Sequence, residues 1–223
     1  MAIDGPGASG KSTVGWLVAQ RLGCRFVDTG GMYRAITWLA LVKGLNFEDE
    51  AALVQLAEET TLLVLPGTLA HPGGRFLVGT EDVSSFLHRP EVDAKVSQAA
   101  RIPGVRRIMV EAQQRLAEQG GIVMAGRDIG TAVLPDAELK IYLDASVEER
   151  ARRRLKELQE GGASEADYQK VLEELRRRDE VDRGRETSPL RPAGDALIVR
   201  TDGLSPEQVA MGIVEAACVG RGA

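Results

Sequence analysis

Gly5-Pro6-Gly7-Ala8-Ser9-Gly10-Lys11-Ser12, followed by Thr13, satisfies the spacing G-x-x-x-x-G-K-[ST]. An apolar stub, Ala2-Ile3, precedes it, and an amphipathic pattern follows. Each residue type has a chemical reason. Glycines let the backbone curl until several N–H groups face one anion. A helix opening near Lys11 adds its positive dipole end. Lys11 supplies a full charge to the β- and γ-phosphates of a nucleotide, and Ser12 can hold Mg²⁺. Residues 5–13 are therefore expected to bind a nucleoside triphosphate with Mg²⁺; the loop alone does not say which one.

A second group of residues suits a second polyanion. Arg34 follows Asp28-Thr29-Gly30 and Tyr33; Arg127 and Asp128 come just after an apolar run. Arg150, Arg152, Arg153 and Arg154 crowd one helical pattern, and Arg178, Asp182 and Arg185 are spaced as one helical stripe. Phosphoryl transfer between two nucleotides must neutralise their mutual repulsion, and fixed guanidinium groups do this. A solvated charged face is the alternative for the 150–154 cluster. No general base stands out. A phosphate acceptor needs none, since its second ionisation lies near pH 6 (roughly) and it is already an anion at neutral pH. A nucleotide-driven switch or motor is the competing class. Asp28-Thr29-Gly30-Gly31 fits D-x-x-G, but it lies directly behind the phosphate loop. A guanine-reading N-K-x-D is absent, Asn46 being the only asparagine. The kinase reading is favoured.

These residues need strands that end where they begin. Apolar runs at Ala2-Ile3, Arg25-Phe26-Val27, Ile122-Val123-Met124, Leu139–Leu143 and Ala196–Val199 alternate with helical patterns. That order predicts a parallel sheet wrapped by helices, with ligands beyond the carboxyl ends of the strands. Val14, Leu17, Val18 and Leu22 form one stripe; Val105, Ile108, Met109, Ala112 and Leu116, opened by Pro103, form another. Ser146 with Glu149, and Ser205 with Gln208 behind Pro206, read as capping boxes. Ser164 and Asp167 open a helix carrying Tyr168, Val171, Leu172 and Leu175. Residues 61–88 read instead as a small antiparallel unit around Gly73-Gly74. Gly161-Gly162-Ala163 reads as a hinge or flap tip.

Composition sets outer bounds. The 223 residues, 43% hydrophobic and 27% charged, suit a single domain with small inserts. A net charge of -5 argues against a nucleic-acid binder. No apolar run spans a membrane and no signal peptide is evident, so a cytoplasmic protein is expected. Cys24 and Cys218 lack metal-ligand spacing and are expected as buried apolar residues. His71 and His88 are too few for a histidine-based centre.

In order along nearly the whole chain, several runs resemble bacterial cytidylate kinases. They are Ile3-Asp4-Gly5-Pro6 through Lys11-Ser12-Thr13, Asp28 through Arg34, Glu81-Asp82-Val83-Ser84, Gly126-Arg127-Asp128-Ile129-Gly130-Thr131, Lys140 through Ser146, and Arg178-Asp179 through Asp182 to Arg185. The pairing of G-R-D-I-G-T with a late R-D-x-x-D-x-x-R is the specific part. The resemblance implies a single P-loop α/β kinase domain over 1–223, with a monophosphate-binding insert at about 60–100 and a helical lid at about 150–180. It implies transfer from ATP with Mg²⁺ to CMP or dCMP by a monomer. By position, Ser97, Arg106 and Asp128 resemble cytosine-reading residues. A carboxylate there can accept from the exocyclic N4 amine. Thr29, Arg34, Arg127 and Arg185 resemble groups around the acceptor phosphate; Tyr33 belongs to the same substrate set. Arg178 and Asp182 resemble those holding the sugar, and Arg153 and Arg154 fall in the lid near the transferring phosphoryl. Lys11, Arg127, Arg153, Arg154 and Arg185 are then the expected catalytic set. Two departures stand out. Thr29 replaces the usual serine and keeps the hydroxyl. Ala125 replaces an acid common before Gly-Arg-Asp, which weakens a secondary metal contact.

Overall fold

A computed structural model describes residues 1–68, 71–160 and 166–219. The chain runs β1 (Ala2–Asp4), α1 (Lys11–Leu22), β2 (Arg25–Asp28), α2 (Thr29–Val42), α3 (Glu50–Glu59), β3 (Leu62–Leu65), β4 (Arg75–Val78), β5 (Glu81–Asp82). A 3-10 turn (Ser84–Phe86), α4 (Pro90–Arg101), α5 (Pro103–Glu118), β6 (Ile122–Gly126) and a π-helical turn (Ile129–Val133) follow. β7 (Lys140–Asp144), α6 (Val147–Glu160), α7 (Tyr168–Arg183), β8 (Leu197–Arg200) and α8 (Pro206–Val219) complete it.

The main sheet has five strands in the order β2-β6-β1-β7-β8, every pair parallel. The five sequence-derived strands are these five. β1 is first in the chain but central in the sheet, so the connections diverge on either side of it. In such a sheet the crevice beyond that central strand is where ligands bind. The phosphate loop leaves from this end.

Alternation along the strands divides the core. Ile3, Val123, Ala125, Ile141 and Leu143 pack on α1 and α8 through Val14, Val18, Val209 and Ile213. Ala2, Val27 and Met124 join the opposite cluster, with Ile36, Leu53, Val105 and Met109. A third cluster, Ala151, Val171, Leu172 and Leu175, holds α6 and α7 together, and Ala8 of the phosphate loop packs against it. The α6–α7 hairpin is thus packed directly on that loop.

The antiparallel unit is present as β3-β4-β5, with Leu65 opposite Arg75 and Val78 opposite Glu81. α4 follows it and packs on α2. Several local expectations change. α7 ends at Arg183, with Gly184 beyond it, so Arg185 is not on the helical stripe of Arg178 and Asp182. Ser205 and Gln208 make both bonds of a capping box, but Ser146 and Glu149 make only one. Glu149 N–H donates to Ser146 Oγ, while Ser146 N–H donates to Asp202 and the Glu149 carboxylate is held by Arg152 and Arg153. Cys24 is half-buried and Cys218 exposed, not buried as expected. The 161–163 hinge and Ser164 lie outside the described residues; Asp167 caps α7 by accepting from Lys170 N–H. Among the described residues no helix is long and apolar enough to cross a membrane.

Candidate active site

The phosphate loop is held by its carbonyls. Lys11 Nζ donates to Pro6 O at 2.6 Å, Arg127 Nη1 to Gly5 O at 3.2 Å and Arg150 Nη1 to Gly7 O at 3.2 Å. With those carbonyls engaged by cations, the loop's N–H groups are left as donors for an anion. Gly5 has φ 153°. A Cβ there would stand 2.2 Å from Leu143 O, so a side chain would push the loop off β7. Gly10, at φ 92°, precedes α1 in a left-handed conformation. Ala8 is also left-handed, at φ 57°, which costs about 1–2 kcal/mol for a residue with a Cβ.

Lys11 is buried, and burial first, then Arg127, holds its pKa well below the lysine range. Among the described residues it has no carboxylate partner; its other bond is to Ser9 Oγ at 3.4 Å. A phosphate beside it would supply the missing negative charge. Ser12 donates its hydroxyl to Asp28, whose other oxygen accepts from Gly30 N–H at 3.0 Å. A hydroxyl and a carboxylate oxygen therefore sit together at the loop.

A cleft of about 430 Å³ runs from this loop to the ends of β2 and β6 and on to α4, α6 and α7. It is lined by Lys11, Thr29, Tyr33, Arg34, Ser97, Arg106, Arg127, Asp128, Arg154, Arg178, Asp182 and Arg185. Every sequence-derived acceptor-side residue is in that set. Arg153 is not. Its guanidinium is turned to Thr201, donating to its oxygen atoms at 3.0 and 2.7 Å, and pairs with Glu149 at 3.1 Å. Successive helix residues point about 100° apart, so a run of arginines cannot share one target. Arg150 is buried and pairs with Asp179 at 2.6 Å; Arg152 faces outward to Glu149; Arg154 alone of the four reaches the cleft.

Acids of the chain occupy most of the cleft's cations. Asp182, 1% exposed, accepts from Arg127 Nε at 2.8 Å and from Arg185 Nη2. Burial opposes its charge, but Arg127 and Arg185 outweigh burial and hold its pKa below the usual carboxylate value. Arg106 and Asp128 form a buried ion pair, and Arg106 also donates to Ala100 O at 3.1 Å. Arg34 donates to Leu87 O at 2.9 Å and pairs with Asp93 at 2.7 Å. Thr29 donates to Ala125 O at 2.9 Å. Arg178 is the exception: it has no ion pair among the described residues. Burial, then Arg127 and Arg34, pull its pKa down to about 10, and its Nε has no partner. Tyr33 Oη is likewise buried without a partner, its pKa raised by burial to about 12. Orphaned donors facing a cavity are what a bound polar ligand would satisfy.

A family model described as cytidylate kinase matches residues 1–218. The chain belongs to the cytidylate kinase family. A cytidylate kinase of Bacillus velezensis is 49% identical over 216 residues, covering 96% of this chain and 94% of that protein. One from Carboxydothermus hydrogenoformans is 44% identical, covering 96% and 95%. One from Bacillus subtilis is 46% identical, covering 97% and 95%.

Within this cytidylate kinase-family site, sequence reasoning left out Asp28, His88 and Asp93, all of which line the cleft. Asp28 carried a signal, because it closes β2 in register with Ala125, one residue before Gly126-Arg127. His88 and Asp93 lie on or beside α4. Pro90 at its first turn, with Val92, Val96, Ala99 and Ala100 buried, was the signal available.

Proposed function

We infer that the chain transfers the γ-phosphoryl group of ATP to CMP or dCMP, giving CDP or dCDP and ADP. The observation that carries this is one cleft with a phosphate loop and a charge-deficient Lys11 at one end, and Arg178, Arg127 and the Arg106–Asp128 pair at the other. ATP lies with its β- and γ-phosphates on residues 5–13. Thr29, Arg34, Arg127 and Arg185 take the acceptor phosphate. Arg178 and Asp182 face the sugar, with Tyr33 beside them. Ser97, Arg106 and Asp128 read cytosine, Asp128 accepting from N4 and Arg106 donating to the ring acceptors.

Mg²⁺ with ATP fits the residues present. Ser12 Oγ and the Asp28 carboxylate are adjacent oxygen donors of the kind this ion takes. Among the described residues no cluster of three or more acidic, histidine or cysteine side chains could hold a metal; the ion would arrive with the nucleotide, and Ser12 and Asp28 would help to hold it. The ion would neutralise charge on the β- and γ-phosphates. Lys11, Arg127 and Arg154 stabilise the same developing charge from fixed positions, and the acceptor phosphate, already ionised, attacks in line. Arg153 serves from outside the cleft by fixing the Thr201 loop. Segment 60–100 acts as the monophosphate-binding insert and 150–180 as the lid, in a monomeric cytoplasmic enzyme.

A coupled assay with ATP and each of CMP, dCMP, UMP, AMP and GMP tests the reading. The cytosine nucleotides should be the best acceptors. A preference for AMP or GMP overturns the acceptor assignment, and absence of any product overturns the reaction.

A further inference from the structure

Three helices from distant parts of the chain meet at one carboxylate. Asp93 on α4 pairs through Oδ1 with Arg34 on α2 at 2.7 Å and through Oδ2 with Arg154 on α6 at 2.9 Å. The side chains of Asp93 and Arg34 are 13% and 12% exposed and that of Arg154 is 29%, so the Arg34 half of the bridge is the better shielded from water. All three residues line the cleft. Among the described residues Arg34 makes its bonds through Nη1 alone, to Asp93 and to Leu87 O, which leaves Nε and Nη2 for a ligand. Arg154 uses Nη2 for Asp93 and Nη1 for Glu157 at 3.2 Å. Burial and then Arg34 lower the pKa of neighbouring His88, so at neutral pH it adds no charge to the group. Arg178 is the further cation facing Asp93.

We propose that Asp93 is a positioning residue that ties the lid helix to the acceptor side, so that Arg154 holds Arg34 in place for the acceptor phosphate. The proposal rests on the (d)CMP kinase reading and deepens it. A guanidinium on a long side chain is expensive to immobilise. A two-oxygen carboxylate fixes one nitrogen of each arginine and leaves the rest of Arg34's fork free. Two guanidinium groups facing each other would repel, and Asp93 removes that repulsion while linking α6 to α2. Ordering of the lid is thereby felt at the acceptor phosphate without a ligand touching both.

The test is equilibrium binding of CMP alone by calorimetry, with kinetics beside it. Asp93→Asn keeps the shape but offers only one acceptor oxygen, and should weaken CMP binding about tenfold, the loss of one charge-assisted bond. KM for CMP should rise with it, while KM for ATP stays within about twofold (same constant). Asp93→Glu should recover part of the loss, which a purely structural defect would not allow. Arg154→Gln, made independently in case Asp93→Asn does not fold, should weaken CMP by a similar factor. The double variant should be no weaker than either single one. Tighter CMP binding by Asp93→Asn would make Asp93 a competitor for the arginines and overturn the tie, as would additive losses or an unchanged dissociation constant. If the unaltered protein does not bind CMP, the functional reading itself fails, and that result is distinct from the others.

Discussion

Replacing Asp182 by Asn probes the charge balance of the whole cleft. Asp182 is 1% exposed and is shared by Arg127, 19% exposed, and Arg185, 7% exposed. Removing one member of a buried ion pair leaves an uncompensated charge and costs about 3–5 kcal/mol. Asn retains one acceptor oxygen, so the lower end, about 3 kcal/mol, applies. In a chain of 223 residues each kcal/mol moves the melting midpoint roughly 2–4 °C, which gives a fall of about 6–12 °C. The pH dependence follows from the depressed pKa. A carboxylate that titrates lower when folded contributes stability above the ordinary value near 3.8 and loses it as pH falls through the native value. The gap between parent and variant should thus be full at neutral pH and close in acid. Turnover should fall as well, because Arg127 loses the restraint on its Nε; displacement of such a group by about 1 Å costs on the order of a hundredfold. Calorimetry across pH, with steady-state rates on CMP, measures both. A midpoint shift under about 2 °C at neutral pH, equivalent to less than ~1 kcal/mol, would refute the claim that Asp182 neutralises these arginines.

Other outcomes follow from the same geometry. Asp128→Ala should cost CMP at least about tenfold more in kcat/KM than UMP, since only cytosine offers an N4 amine to the lost acceptor; equal losses would end the base-reading role. Asp4, buried and accepting from Ile129 and Gly130 N–H at 2.7 Å each, has its pKa raised by burial to about 6. A raised carboxyl contributes stability that is full below 3.8 and lost as pH rises through about 6. The parent should therefore lose about 3 kcal/mol of stability relative to Asp4→Asn from pH 3.5 to 7, and parallel curves in chemical denaturation would contradict it.

The parts legible in the sequence are those governed by local rules. The phosphate loop follows from glycine conformation and spacing, and the five parallel strands from short apolar runs with Asp or Gly behind them. The loop's position at the centre of the sheet rests on the strand order β2-β6-β1-β7-β8, which the structure supplies. What the sequence concealed depends on where helices stop and on rotation about their axes. Gly184 ends α7 before Arg185, yet Arg185 returns to Asp182 from the following segment. Four arginines at 150–154 look equivalent as letters, but helical rotation sends one to Asp179, one to solvent, one to Thr201 and one to the cleft. A polar face dominates the composition of α4 and hides Asp93 among other charged residues, and its partners lie 59 and 61 positions away. No local pattern encodes a contact across that separation.

The distribution of acids also bears on how the cleft accepts two polyanions. Arg127, Arg185, Arg106, Arg34 and Arg154 each have a carboxylate of the chain as counter-ion. Lys11 and Arg178 have none among the described residues, and burial depresses both of their pKa values. An arriving phosphate gains most at these two positions, because there it replaces a desolvation cost without displacing a partner. Elsewhere it must share a cation with its acid, taking guanidinium nitrogens the acid leaves free, as Arg34 does at Nε and Nη2, and the most buried acid, Asp182 at 1% exposed, is the hardest to displace. Asp182 therefore remains a fixed part of the site under the bound nucleotide, holding Arg127 and Arg185 apart from each other. Shielded pairs are also screened less by salt, so added salt should weaken the Arg34–Asp93–Arg154 link before it touches the Asp182 pairs.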